Sequence, residues 1–162
     1  MDLVVTRARL ALLPLALLTG CIFTDLRVIR PLSEPVGKVS LSVTSAPGVM
    51  TDAQAAQLRP ALTSALASGG VRLAARGEPG VNELEGVVEE YKTGNRALRY
   101  FFGIVGAGVG RFRSDWRVKN EAGADIGECR VDGSIHNGSF GGSYNELLEA
   151  VGSKLCECLK PP

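Results

Sequence analysis

The chain has 162 residues with 18 basic and 17 acidic side chains, one histidine and four cysteines. That length suits one domain with a real core, and a formal charge of +1 gives no basic surface of the kind a nucleic-acid partner needs. No nucleic-acid partner is therefore expected, and no cofactor or metal is expected because the glycine and cysteine spacings match no phosphate-loop, dinucleotide or zinc motif.

The first segment carries Arg7 and Arg9, then an apolar run from Leu10 to Leu18, and closes with Leu18-Thr19-Gly20-Cys21. A positive start, a short apolar core and small residues before a cut describe a secretory signal peptide. The run is shorter than the roughly 20 residues of a membrane span. The segment resembles a bacterial lipoprotein leader, in which an aliphatic residue, a small residue, Gly or Ala, and then Cys mark the cut. The resemblance implies that residues 1–20 are removed and that Cys21 becomes the lipidated first residue. One acyl chain holds a protein only marginally, whereas two or more hold it firmly; such a lipoprotein carries three. Ile22 rather than Asp follows the lipidated position, which by the same resemblance implies the outer membrane, facing the periplasm. Removal of 20 residues leaves 142. Two bases and one acid leave with the leader, so 16 of each remain and the formal charge of the mature chain is zero.

Residues 21–35, with Pro31 and Pro35 and no clear period, read as a tether between lipid and domain. Val39, Leu41 and Val43 alternate with polar residues as in a half-buried strand, and Pro47-Gly48 ends it. Thr51 and Gln54 form a capping box. Behind it Ala55, Leu58, Leu62, Ala65 and Leu66 recur at helical spacing, so a helix is expected over 51–68, with a kink or a break at Pro60. Short strands are expected over 71–75 and, with imperfect alternation, over 83–92. Glu83, Glu85, Glu89 and Glu90 read there as a solvated edge. The clearest strand is 111–119, where Phe112, Ser114, Trp116 and Val118 alternate with charged residues. A hairpin loop at 120–124 returns the chain through 126–135, with Cys129, Val131 and Ile135 inward. Ser143 and Glu146 form a second capping box. It opens a helix over 143–159 with the stripe Leu147, Leu148, Val151, Leu155, Cys158 and Leu159. The expected domain, 36–160, is a two-layer α+β fold: an antiparallel sheet of four or five strands with both helices on one face.

Three cysteines remain after Cys21. An odd number permits at most one internal bridge. Cys129 and Cys158 are the candidates, because each lies on an apolar face; the alternative is three free thiols. Cys156 stands about 160° around the helix from Cys158 at about 100° per residue, and is expected to point outward. Cys156 and Cys158 lack the spacing and the partners of a zinc site.

The stretch 91–113 crowds aromatics with glycines. It is no phosphate loop: Gly103 and Gly108 are followed by Val109-Gly110 rather than Lys-Ser/Thr, and Arg111 occupies the third glycine position of a dinucleotide fingerprint. Gly94-Asn95-Arg96-Ala97-Leu98-Arg99-Tyr100, Gly106-Ala107-Gly108, the strand from Arg111 and Ser139-Phe140-Gly141-Gly142 resemble the shared segments of an uncharacterised bacterial lipoprotein family, the domain-of-unknown-function 4410 type. The resemblance spans most of 37–160. It implies a small α+β lipoprotein domain and no assigned activity. Arg96, Arg99, Tyr100, Phe101 and Phe102 are the candidate partner contacts, the alternative being that the rings cover one end of the sheet.

The resulting expectation is a membrane-anchored, non-enzymatic binding or assembly component of the cell envelope with a protein partner. The alternative is an envelope enzyme or small-ligand carrier. The sole histidine, His136, has only Ser134 and Ser139 near it in sequence as nucleophiles, and no catalytic residue is assigned.

Overall fold

The computed structural model describes residues 22–94, 108–135 and 143–160. Its elements are β1 (Ile22–Arg30), β2 (Lys38–Ser45), α1 (Asp52–Ser68), β3 (Arg72–Leu73), β4 (Val81–Lys92), β5 (Gly110–Lys119), β6 (Asp125–Ile135) and α2 (Tyr144–Cys158). The strands form one sheet in the order β1-β6-β5-β4-β2-β3. Both helices pack on one face of it and on each other.

Three expectations about the backbone need correction. The sheet has six strands, and it is mixed: β2 runs parallel to both β3 and β4. The cause is α1, which carries the chain back across the sheet after β2, so that the strands beyond it start again from the same end. Residues 22–30 are not a tether but the edge strand β1, paired antiparallel with β6. Ile22 and Leu26 pack on the core while Phe23, Val28 and Ile29 stay exposed. Apolar residues thus fall on both faces and hide the period. Leu32, in the same stretch, is buried, and Ser33 donates its backbone N–H to the Ile126 carbonyl at 2.9 Å. Finally, α1 is one helix through Pro60 and does not break into two. Pro60 and Ala56 are both exposed, so the carbonyl that the proline leaves unbonded faces water.

Both capping boxes form. Thr51 and Ser143 accept from the backbone N–H groups of Gln54 and Glu146, whose side chains accept in return from the cap backbones. The imperfect alternation of β4 also has a cause. A bulge between Val88 and Glu90 shifts the register against β5. Leu84, Gly86 and Val88 face the helices before the bulge, and Tyr91, opposite Phe112, joins them after it.

Trp116 is the largest fully buried side chain. Its indole Nε1–H donates to Ser114 Oγ at 2.7 Å, so the buried polar atom is satisfied. Gly86 lies directly opposite Trp116 on β4, and a Cβ there would collide with the indole ring. On the other side Trp116 stands opposite Cys129, which is joined by a disulfide to Cys158 of α2 with a Cα–Cα separation of 6.4 Å. The helices touch where Gly152 meets Ala65, a contact too close for any side chain on residue 152. Cys156 does not point outward. It is buried, its sulfur lying over Gly69 and 3.9 Å from the Leu66 carbonyl. Because α2 packs on the sheet and on α1 together, its buried arc is wider than the stripe the sequence suggests.

Two outcomes follow from this packing. Gly86→Ala is expected to lower unfolding stability by about 1–3 kcal/mol through overpacking against Trp116, read from the denaturant midpoint at unchanged slope. The double substitution Cys129→Ala with Cys158→Ala is expected to cost about 3–4 kcal/mol, the loop-closure value for a sequence separation of 29; dithiothreitol should lower the wild-type midpoint and leave that variant unmoved.

Candidate functional site

The inner face of the sheet is filled by the core. The outer face is charged. From β4 it presents Glu83, Glu85 and Glu90, from β5 Arg111, Arg113, Asp115, Arg117 and Lys119, and from β6 Glu128, Arg130 and Asp132. β4 lies inside the sheet, so its carboxylates belong to this face rather than to an edge as expected. They are also paired: Glu83 with Arg76 at 2.9 Å, Glu85 with Lys119 at 2.6 Å, Glu90 with Lys92 at 2.9 Å and Glu89 with Arg130 at 3.9 Å.

The centre of the face is the pair Arg130–Asp115. The guanidinium donates from Nε to Oδ1 at 2.5 Å and from Nη2 to Oδ2 at 2.6 Å, the bidentate geometry that makes such pairs strong. Those hydrogen bonds hold the Asp115 carboxyl below the usual carboxylate range and push Arg130 up. Arg113 donates to Asp132 at 2.6 Å, which raises its pKa, and the hydrogen bond from Lys92 lowers that of Glu90. Sequence reading placed the basic row of β5 on one face but missed its partners. The signal was present: folding the chain about the loop at 120–124 sets Arg113 opposite Asp132, Asp115 opposite Arg130 and Arg117 opposite Glu128.

An open cleft of about 560 Å³ lies where β1, β6, β5 and β4 come together at one end, lined by Phe23, Asp25, Glu90, Arg111, Arg113 and Asp132 among others. At this same end β1 begins, β4 finishes, β5 begins and β6 finishes, since Ile22 stands opposite Ile135 and Ile135 opposite Gly110. Tyr91 and Tyr144 pack beneath it with ring centroids 4.8 Å apart, and burial pushes the Tyr144 hydroxyl above the usual tyrosine range.

Cys21, the candidate contacts Arg96, Arg99, Tyr100, Phe101 and Phe102, and His136 lie outside the described residues. The described residues that flank these segments, Ile22, Gly94, Gly108, Ile135 and Ser143, adjoin the strand and helix termini at this end of the sheet. Among the described residues no group of three or more His, Cys, Asp or Glu side chains is placed to hold a metal ion, and no helix is long and apolar enough to cross a membrane.

No protein-family model matches the chain, and no curated protein matches it, so these comparisons do not support the 4410-type resemblance. Solved structures do match. The PelC dodecamer from Paraburkholderia phytofirmans is similar over 86% of this chain and 99% of that one, at 18% identity and a TM-score of 0.57. A Xanthomonas campestris protein, XCC0632, described as DUF330, is similar over 79% and 85% at 10% identity with a TM-score of 0.49. A minor lipoprotein from Acinetobacter baumannii is similar over 73% and 86% at 14% identity with a TM-score of 0.38. The class defined here is a two-layer α+β domain with a mixed six-stranded sheet. Its fold is similar to that of the PelC subunit.

Asp115 allows a test of the outer face. Its depressed carboxyl pKa stabilises the fold fully above the ordinary aspartate value of about 3.9, and that contribution is lost as pH falls through the lower folded value. Asp115→Asn is expected to cost about 1 kcal/mol at neutral pH, Arg130 being only partly shielded from water. In a pH series of denaturation curves the gap between variant and wild type should shrink toward zero on acidification below the ordinary value.

Proposed function

We propose that this protein is a non-enzymatic, lipid-anchored binding or assembly component of the bacterial cell envelope, held through acyl chains on Cys21 at the periplasmic face of the outer membrane. The observation that carries the reading is the start of β1. The lipoprotein-like cut falls before Cys21, and the next residue, Ile22, already lies in the edge strand, opposite Ile135. A lipid on Cys21 would therefore be joined to the sheet without a spacer.

One feature supports an assembly role. The likeness in fold to a chain that forms a dodecamer supports self-association or docking in a larger envelope complex. The candidate contacts 96–102 belong to this proposal as the surface a protein partner would meet. The second reading, an envelope enzyme or small-ligand carrier, would use the open cleft near Phe23, where Arg113 and Asp132 already pair with each other.

The test is direct. The mature protein, purified from envelope membranes, is expected to show the mass of a triacylated N-terminal Cys21 peptide and to co-sediment with outer-membrane markers. Cys21→Ser should accumulate as the unprocessed precursor. Wild-type protein in the soluble periplasm with no lipid mass would refute the anchor. Light scattering of the detergent-solubilised protein reports on assembly: a multimer supports it, and a monomer that captures no envelope partner on cross-linking counts against it.

A further inference from the structure

β1 is a long edge of the sheet. It runs nine residues with no proline and no lysine, whereas the opposite edge strand, β3, has two residues. Among the described residues no strand pairs with the free side of β1. A long edge without blocking residues is a template for another strand. Val28 and Ile29 on it are 51% and 49% exposed. Its charges are arranged unlike those of the β5–β6 hairpin. Asp25 stands opposite Asp132, and Arg27 opposite Arg130; like charges directly opposed are unfavourable. β6 does not answer them, because Asp132 pairs with Arg113 and Arg130 with Asp115, both on β5. Asp25 and Arg27 are exposed, and among the described residues neither has an ion-pair partner.

We infer that β1 pairs antiparallel with β1 of a second copy of this chain, about a two-fold axis at Leu26, so that Asp25 of each copy meets Arg27 of the other. The inference names the partner that the assembly reading leaves open, and it rests on that reading. Charge selects the register. A two-fold axis perpendicular to the sheet keeps the outer faces of both copies on one side, so only residues of the same face meet. An axis at residue 25 would oppose the two Asp25 side chains, and one at residue 27 the two Arg27 side chains. The axis at Leu26 opposes acid to base twice, with Cβ atoms about 4.5–5.5 Å apart. It also sets Val28 beside Thr24 of the second copy. That contact lies within the regular part of β1, before the register shift between Val28 and Arg30. The two Cys21 positions then stand about ten residues of strand apart, about 33 Å. They share one height along the axis, so both anchors of such a dimer can enter one leaflet.

The experiment exchanges the two charges. Full-length Asp25→Arg, Arg27→Asp and the double variant are purified in detergent, and their masses are followed by sedimentation velocity over a concentration series. Within the chain, Asp25→Arg puts a base opposite Asp132 and Arg27→Asp puts an acid opposite Arg130, so neither should loosen β1. Wild type is expected to dimerise, each single variant to dissociate at least tenfold more readily, and the double variant to return to within threefold of wild type. An equimolar mixture of the two single variants should dimerise where each alone does not, because one brings two bases to the edge and the other two acids. Single variants that self-associate as strongly as wild type, or a mixture that stays monomeric, overturn the β1 pairing and leave assembly through another surface standing. A wild-type monomer that cross-links only to a different envelope protein overturns the pairing with the assembly reading intact. A monomer that captures nothing counts against both.

Discussion

The ring of Trp116 occupies space that Gly86 leaves empty, and the packing of both layers follows from that contact. An aromatic side chain buries about 150–250 Å², worth about 4–6 kcal/mol at about 25 cal/mol per Å². Here that area lies at the middle of the inner face. The indole N–H is satisfied by Ser114, so burial leaves no orphaned donor. On the neighbouring strand Cys129 ties the same row to α2. α2 in turn comes close enough to α1, through Gly152 at Ala65, for one layer of helix to cover the sheet. Sheet, disulfide and helix pair are thus fastened at successive points along one line of residues.

The outer face obeys a different constraint. It faces water, so apolar burial does not select its register; charge does. In the β5–β6 hairpin each outward position from Arg113 to Arg117 meets the opposite sign. A slip of two residues would set Arg113 against Arg130 and Asp115 against Glu128, like charges directly opposed. The inner face would survive a two-residue slip in polarity though not in shape, because alternation is preserved. Charge and packing therefore agree on one register.

β1 forms one edge of the sheet. β1 pairs with β6 over nearly its whole length, so the first residues after Cys21 are part of the rigid sheet. Its exposed apolar residues, Phe23, Val28 and Ile29, are what made it look irregular. Val28 and Ile29 lie toward the far end of this edge strand and remain exposed there.

Much of this was legible in the sequence because it is local. Two capping boxes, two apolar stripes and the alternation of 111–119 and 126–135 depend on spacings of one to four residues, and they located both helices and the central hairpin. The two-layer class with helices on one face followed from stripes that needed a common partner. Tertiary structure alone decided the rest. The parallel placement of β2 beside β4 depends on where α1 returns the chain. β1 is a strand because β6 offers it an edge, not because its own pattern demands one. Tyr91 faces inward because a bulge at 89 shifts the register, and Cys156 is buried because a second helix lies beside it. In each case the deciding neighbour is distant in the chain or specified by one extra residue in a ladder, and neither leaves a period in the sequence.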